Sequence, residues 1–283
     1  MQTLPIMVYT PESPLRSPVL LLGAMSRDLR VSRELAWRLF VRDLSALYRQ
    51  TFLGYVWAFL PPLAASATFI FLQSQGIVQV GATPVPYAAF AMMGTLLWQV
   101  FVDAIQSPSA TVQSAKAMLA KINFPREAIL MAGAYMVVFN AAVRFVLLAV
   151  VMAAWHVAPG AGLLVFPVAM FGLLACGFAV GLLLLPLGSL YGDVARGIPI
   201  VAQFWMLLTP VVYPARSQGL AGWLATWNPV APVLTTAREA LSGLPLSQLP
   251  MCLAVSFGAG LLCFMGLAAY RLVMPLLIER MGS

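Results

Sequence analysis

The sequence predicts an all-α integral membrane protein with six transmembrane helices, and three observations lead to that fold class. First, 61% of the 283 residues are hydrophobic and only 9% are charged, with a mean hydropathy of +0.91, whereas about a quarter of a soluble domain is charged. Second, apolar runs approach or exceed the roughly 20 residues that cross a bilayer. Third, Lys and Arg concentrate in alternate connections between these runs.

The apolar runs define the predicted spans. Five of the six runs are long. The remaining run, which is the fifth along the chain, is shorter and ends in "LTPVVYP", so we expect that span to be tilted or broken. The six predicted spans are residues 57–77, 87–105, 129–155, 163–188, 198–213 and 251–273.

The basic residues predict the orientation. Seven arginines precede the first span, three basic residues lie between the second and third, Arg196 lies between the fourth and fifth, and Arg280 lies in the tail. The opposite connections carry only Arg216 and Arg238. Because cytoplasmic loops collect Lys and Arg, six spans with both termini in the cytoplasm fit the pattern, whereas five would place the basic tail outside.

The chain divides into an N-terminal cytoplasmic segment (1–30), an amphipathic interface helix (31–50) and a six-span domain (51–283). The helix prediction rests on apolar residues that recur every three or four positions, with arginines on the other side, an arrangement typical of a helix lying at the membrane surface. Simple anchoring and a handle moved by a cytoplasmic partner both remain open. The stripe is Trp37, Phe40, Val41, Leu44, Leu47 and Tyr48, and the arginines are Arg38, Arg42 and Arg49.

Two proline-containing segments carry further expectations. Pro61 and Pro62 are expected to kink the start of the first span. Residues 214–250 are apolar in patches and are broken by Pro229, Pro232, Pro245 and Pro250. We expect short re-entrant helices there, between spans five and six, because non-helical backbone at membrane depth must be buried in protein or line a wet cavity.

Several classes of function are excluded by the composition. An ion-coupled carrier needs ionisable groups deep in the membrane, and Asp103 is the only acidic residue in a predicted span, expected near its cytoplasmic end. The two lysines, Lys116 and Lys121, do not stand in a Gly-Lys-Ser/Thr phosphate loop. His156 and the three cysteines have no catalytic or metal-ligand spacing. We therefore expect no enzyme activity, cofactor, metal or nucleic-acid site in this chain, and power from another polypeptide.

Arg144 is the one costly residue, since it lies near the middle of the third predicted span. A cation there costs about 2.5 kcal/mol or more. Two interpretations stay open: a snorkelling or locally paired arginine at an inter-subunit contact, or a cation that faces a water-filled path. The pair Gly177 and Gly181 in "GFAVG" also indicates a close helix-packing surface, within one subunit or between two.

Five segments resemble the membrane subunit of ABC-type polysaccharide exporters, the O-antigen permeases with their capsule and teichoic-acid relatives. They are "YRQTFLGYVWAFLPPL" (48–63), "GTLLWQVF" (94–101), "KINFPREAIL" (121–130), "YGDVARGIPIVAQFWMLLTPVVYP" (191–214) and "WNPVAPVLTTAREAL" (227–241). The resemblance implies a homodimer in the bacterial inner membrane, bound to two copies of an ATPase that holds ATP and Mg²⁺, and a lipid-linked polysaccharide as cargo.

The resemblance also implies roles for individual residues. The connection 106–128 resembles the coupling loop onto which the ATPase docks, and 214–250 resembles the outer gate. Aromatic rings, which offer sugars weak and repeated contacts, are candidates for the transport path together with Arg144, although interfacial lipid contact is an alternative for each ring. The coupling residues are Lys121, Asn123, Phe124, Pro125, Arg126 and Glu127; the gate residues are Asn228, Pro229 and Arg238; the path candidates are Tyr55, Trp57, Phe59, Trp98, Phe101, Trp205, Tyr213, Trp223 and Trp227.

Two rival functions remain open at this stage. A type-2 ABC exporter of lipids or small-molecule drugs would share the same mechanics but use a narrower path with a lateral exit. A membrane scaffold would carry the coupling-like loop without any transport.

Overall fold

The computed structural model describes residues 18–48, 56, 59–76, 83–119, 125–214, 222–223 and 226–282. In these residues every regular element is a helix, which confirms the all-α prediction. A short 3₁₀ helix, Ala161–Val165, leads into α6. The helices are α1 Pro18–Tyr48, α2 Leu60–Ser74, α3 Tyr87–Ser114, α4 Lys116–Leu119, α5 Glu127–Ala154, α6 Phe166–Leu190, α7 Gly192–Leu208, α8 Val230–Ser242 and α9 Leu249–Gly282.

Four of the described helical segments are long and apolar enough to cross a membrane: Tyr87–Ser114, Glu127–Ala154, Ala161–Leu190 and Leu249–Met274. They match the predicted second, third, fourth and sixth spans. The helices α2 and α7 stand where the first and fifth spans are predicted, but they contain 15 and 17 residues. At 1.5 Å per residue they reach about 23 and 26 Å, short of a hydrocarbon core of about 30 Å.

Three predicted boundaries differ from the structure. The helix α1 begins at Pro18, a favoured first position, rather than at residue 31. The helix α3 continues to Ser114, well into the connection predicted from residue 106, because the polar residues there end the hydropathy signal without ending the helix. The kink expected at Pro61 and Pro62 is wrong: α2 begins at Leu60, so both prolines lie in its first turn, where no intrahelical N–H is lost.

The bundle has two ends, which we name by their connections. The loop end holds residues 115–119 and 125–126, the turn between α6 and α7, and the end of α9. The opposite, α8 end holds the start of α3, the turn between α5 and α6, the end of α7, and α8 itself. Because α3 contacts α2, α5, α6, α7 and α8, it is the central helix of the bundle.

The helices α3 and α6 pack closely through glycine. A Cβ atom at Gly177 would lie 2.7 Å from the carbonyl oxygen of Phe101, and one at Gly181 would meet the carbonyl oxygen of Ile105. The prediction of a close packing surface at "GFAVG" is confirmed, and the partner is a helix of the same chain.

The helix α1 packs against the start of α5. Ala36, Leu39 and Phe40 are buried against Ala128 and Ala132 of α5, next to the end of the 115–126 connection. Trp37 and Val41, from the predicted apolar stripe, stay exposed beside this contact. The helix therefore has a buried face, an exposed apolar face and a charged face.

Candidate functional site

The predicted coupling segment is fastened to the last helix of the chain. The Tyr270 hydroxyl donates a 3.1 Å hydrogen bond to the main-chain carbonyl of Arg126. The Nε atom of Arg271 lies 3.9 Å from a Glu127 carboxylate oxygen. Lys121, Asn123 and Phe124 lie outside the described residues, so the structure places only the C-terminal half of this segment.

Neither Tyr270 nor Arg271 was singled out from the sequence. The sequence feature that could have indicated this contact is Arg271 itself. It is a cation close to the cytoplasmic end of the last predicted span, where it needs water or an acidic partner. Its partner Glu127 is the first residue of α5, where a carboxylate also suits the helix dipole.

The charged face of α1 points away from the bundle. Arg38 pairs with Glu34 at 2.6 Å and Arg42 with Asp43 at 2.7 Å, and all four side chains are solvent-accessible. Exposed pairs of this kind contribute little to stability, so this face is available for headgroups or a partner. Arg49 lies outside the described residues.

Arg144 forms an ion pair with Asp103 across the contact between α5 and α3. Its Nη1 atom lies 2.7 Å from Asp103 Oδ2, and the Asn140 side-chain amide donates to the same oxygen at 3.2 Å. The side chains of Arg144 and Asp103 are 12% and 21% exposed. The pair neutralises the cation within one chain, rather than at the expected contact between subunits, and leaves part of its side chain accessible. The path role of Arg144 stays a prediction.

Three path candidates form one aromatic cluster inside the bundle. Trp98 and Phe101 of α3 are 1% and 0% exposed, and both pack against Trp205 of α7, with ring centroids 6.2 and 5.2 Å away. In this conformation Trp98 and Phe101 have no surface left for a cargo. Phe59 is partly exposed at the start of α2, and Tyr55 and Trp57 lie outside the described residues.

The predicted gate residue Arg238 is buried, with 4% of its surface exposed. Its guanidinium donates hydrogen bonds to the carbonyl oxygens of Pro210 and Val211, both at 3.1 Å, and lies 3.8 Å from the ring centroid of Phe90. Burial lowers the pKa of Arg238 to about 10, and the neighbouring Glu239 carboxylate opposes that shift. The side chain therefore keeps its proton at neutral pH and holds the end of α7 against α8.

Asn228 strengthens the same junction. Its Oδ1 atom accepts hydrogen bonds from the Val230 N–H at 3.1 Å and from the Trp205 indole N–H at 3.3 Å. Its Nδ2 atom donates to the hydroxyl of Thr209, which is fully buried. Pro229, the next predicted gate residue, is exposed.

Trp223 and Trp227 present the exposed aromatic surface of the segment before α8. They are 60% and 74% exposed, and their ring centroids are 6.5 Å apart. Tyr213 is partly exposed, and its hydroxyl donates to the carbonyl oxygen of Leu207. Of the path candidates that the structure describes, this tryptophan pair offers the most accessible ring surface.

The sequence model of the ABC-2 type transporter family matches residues 34–241. This match covers more than half of the chain and runs from α1 to the end of α8. The chain belongs to the ABC-2 type transporter family.

Three relatives of this ABC-2 protein are permeases or transport proteins for O-antigen or polysialic acid. The chain is 23% identical over 213 residues to the O-antigen export system permease protein RfbA of Myxococcus xanthus, covering 74% of this chain and 81% of the relative. It is 21% identical over 201 residues to RfbA of Klebsiella pneumoniae, covering 70% and 76%. It is 24% identical over 247 residues to the polysialic acid transport protein KpsM of Escherichia coli, covering 82% and 91%.

These findings confirm the resemblance to permease subunits of type-2 ABC polysaccharide exporters. Membership of the ABC-2 family implies an ATP-binding partner subunit, and the relatives are transport subunits rather than enzymes. The apolar helices agree with a multi-pass protein of the inner membrane.

Proposed function

We propose that this chain is the membrane subunit of an exporter that moves a lipid-linked polysaccharide, O-antigen or a similar surface glycan, across the bacterial inner membrane. The observation that carries the proposal is the similarity, over at least 70% of the chain, to an O-antigen export permease and a polysialic acid transport protein. ATP and Mg²⁺ bind the partner subunit, which supplies the energy.

The active unit is a homodimer of this chain with two copies of the ATPase. Each copy crosses the membrane six times with both termini in the cytoplasm, and α2 and α7 provide the first and fifth spans. The distribution of Lys and Arg supports this orientation, because it places the loop end of the bundle on the side where ATP is available. The segment 214–250 forms the outer gate, with α8 re-entering the bundle from outside.

The 115–126 connection, extended to Glu127, is the docking site for the ATPase. The C-terminal end of this connection, at Arg126 and Glu127, contacts Tyr270 and Arg271 of α9. The helix α1 packs against the start of α5, immediately after it. A push on this connection therefore reaches α5, α9 and the charged face of α1 together.

The docking assignment is tested by the double variant Phe124→Ala with Arg126→Ala in the full chain, co-expressed with its ATPase. We expect loss of surface polysaccharide and of permease-dependent ATPase stimulation, with normal membrane insertion. Normal export would contradict the docking site. Arg196→Ala is the matched control, because Arg196 is an exposed cation near the start of α7, at the loop end, and this variant should export normally.

The cargo is tested separately in cells that lack the chromosomal copy of this chain. Reintroducing the wild-type chain should restore polysaccharide on the cell surface, measured on gels of extracted glycan. If lipid or drug efflux returns and surface glycan does not, the cargo assignment is wrong; if neither returns, transport itself is wrong and a scaffold role is favoured.

A further inference from the structure

The central helix α3 buries its large apolar side chains and leaves polar side chains accessible, whereas a lipid-facing helix exposes apolar side chains. Trp98, Phe101 and Ile105 are turned into the protein and are at most 2% exposed. Gln99, Asp103 and Gln106 are partly exposed, and Ala110 is exposed. We call this face the polar stripe: Gln99, Asp103 and Gln106, together with the small residue Ala110. Their spacing of three or four positions keeps them on one face of the helix, over about 16 Å of its length.

Within the described residues, the polar stripe is only partly satisfied by hydrogen bonds. In the described part of the molecule neither side-chain amide, that of Gln99 or that of Gln106, has a hydrogen-bond partner. Asp103 is bonded to Arg144 and Asn140 of α5, but 21% of its side chain remains accessible. Hydrocarbon offers these groups no hydrogen bonds, so lipid is not what covers the stripe.

The surfaces that do suit lipid look different. The exposed side chains of α5 and α9 at comparable depth are apolar, such as Val146 at 63%, Phe257 at 78% and Leu261 at 54%. On α7 the exposed side chains are mostly apolar as well, including Ile200, Val201 and Phe204. Lipid or a second subunit can cover such faces by packing alone.

We infer that the polar stripe of α3, with Asn140 and Arg144 at its edge, lines the water-filled path along which the hydroxyl-rich glycan strand moves. Each amide both donates and accepts hydrogen bonds, which matches sugar hydroxyls without demanding one orientation. The stripe descends toward the 115–126 connection, the end at which a cytoplasmic cargo enters. This inference rests on the proposed function, and it moves the path from the buried rings of Trp98 and Phe101 to the opposite face of the same helix.

Water access is tested by cysteine labelling of the full chain, co-expressed with its ATPase, in inside-out membrane vesicles. Gln99→Cys, Gln106→Cys and Ala110→Cys should react with a charged, membrane-impermeant methanethiosulfonate reagent at least ten times faster than Val146→Cys and Leu261→Cys. The wild type supplies the background from its three native cysteines. Equal rates at the two sets of positions would overturn the inference, and so would disulfide-linked dimers of Gln99→Cys, which would place a second copy on the stripe.

Contact with the glycan is tested by two further measurements. Labelling at Gln106→Cys should be at least three times slower in vesicles from cells that make the lipid-linked glycan than in vesicles from cells lacking its initiating sugar transferase. Gln106→Leu should lower surface polysaccharide at least fivefold, Gln106→Asn should retain most of it, and the control Gln73→Leu, at the exposed end of α2, should be normal.

Each negative result is informative. Fast labelling without any effect of the glycan, or normal export by Gln106→Leu, would show that the stripe is wet but does not contact the cargo, and the inference would fail. If the wild-type chain exports no glycan at all, the proposed function fails instead. That export measurement is independent of the cysteine-labelling rates.

Discussion

The exposed face of α9 and the polar stripe of α3 carry opposite chemistry on the same chain. On α9, Phe257, Leu261 and Met265 follow one another at four-residue steps, and each is more than half exposed. On α3, two amides and an aspartate occupy the accessible side, while Trp98 and Phe101 are enclosed. The comparison teaches that exposure has two meanings in a membrane protein. An apolar exposed side chain suits lipid or an apolar partner surface, and a polar one at the same depth needs water or a polar partner.

The largest effect is expected from a charge on the lipid-facing side. Leu261→Asp should raise the free energy of insertion by about 3 kcal/mol, roughly a hundredfold shift toward uninserted protein. Gln99→Asp, at similar depth in the polar stripe, should insert normally because water reaches it. The measurement is the fraction of each variant that resists alkaline extraction from membranes. Equal losses would mean that the two faces share one environment.

The next effect concerns the ion pair at the edge of the stripe. Arg144→Leu leaves Asp103 without its cation and should lower the free energy of unfolding by about 2 kcal/mol. This value lies below the range of about 3–5 kcal/mol for fully buried pairs, because part of Asp103 stays accessible. Adding Asp103→Asn should restore much of the loss. Thermal unfolding in detergent measures both variants. Arg196→Leu, which breaks an exposed pair, is the control with an unchanged melting temperature.

A third, smaller loss of stability is expected from Arg238, a polar side chain that is enclosed in the protein, unlike those of the polar stripe. Arg238→Met removes the donors to two carbonyl oxygens at the junction of α7 and α8 and should cost about 1–2 kcal/mol of stability. Arg238→Lys keeps a cation over Phe90 and should lose about half as much. The melting temperature in detergent reports both. A loss of export by Arg238→Met with unchanged stability would instead assign this arginine to the cargo path.

The smallest effect is expected for trimming the lipid-facing side. Phe257→Ala removes an exposed ring whose replacement by lipid is nearly neutral, since lipid tails are as apolar as the side chain. The change in the free energy of unfolding should stay within about 0.5 kcal/mol. A melting temperature that falls as far as that of Arg144→Leu would show that another protein surface, rather than lipid, covers α9.

The sequence predicted the helices better than their ends. Hydropathy located α3, α5, α6 and α9, because a run of apolar residues is a local property. It missed the extension of α3 to Ser114, because polar residues stop a hydropathy signal without stopping a helix. The amphipathic pattern that predicted α1 also missed its start at Pro18. Pro61 and Pro62 were misjudged for a related reason: a proline breaks a helix or begins one according to its position.

The candidate sites divide in the same way. The segments that resemble a polysaccharide permease were recognisable from short stretches of sequence, and the family match together with the relatives confirms the resemblance. The geometry within those segments was not recognisable. Trp98 and Gln99 are neighbours in "GTLLWQVF", yet the first lies in the core and the second on the accessible face. Only the packing of α3 against α6 and α7 decides which of the two can meet a cargo.

By itself the sequence determined that this chain belongs in a membrane, where its main helices lie, and that neither of its lysines stands in a Gly-Lys-Ser/Thr phosphate loop. Composition, periodicity and short motifs are properties of the chain in order. The tertiary structure decided that Arg144 pairs with Asp103, 41 residues away, that Arg238 binds the end of α7, and that the polar side of α3 remains accessible. Those features depend on which helices meet and at what rotation, and the contacts of the whole bundle determine that rotation.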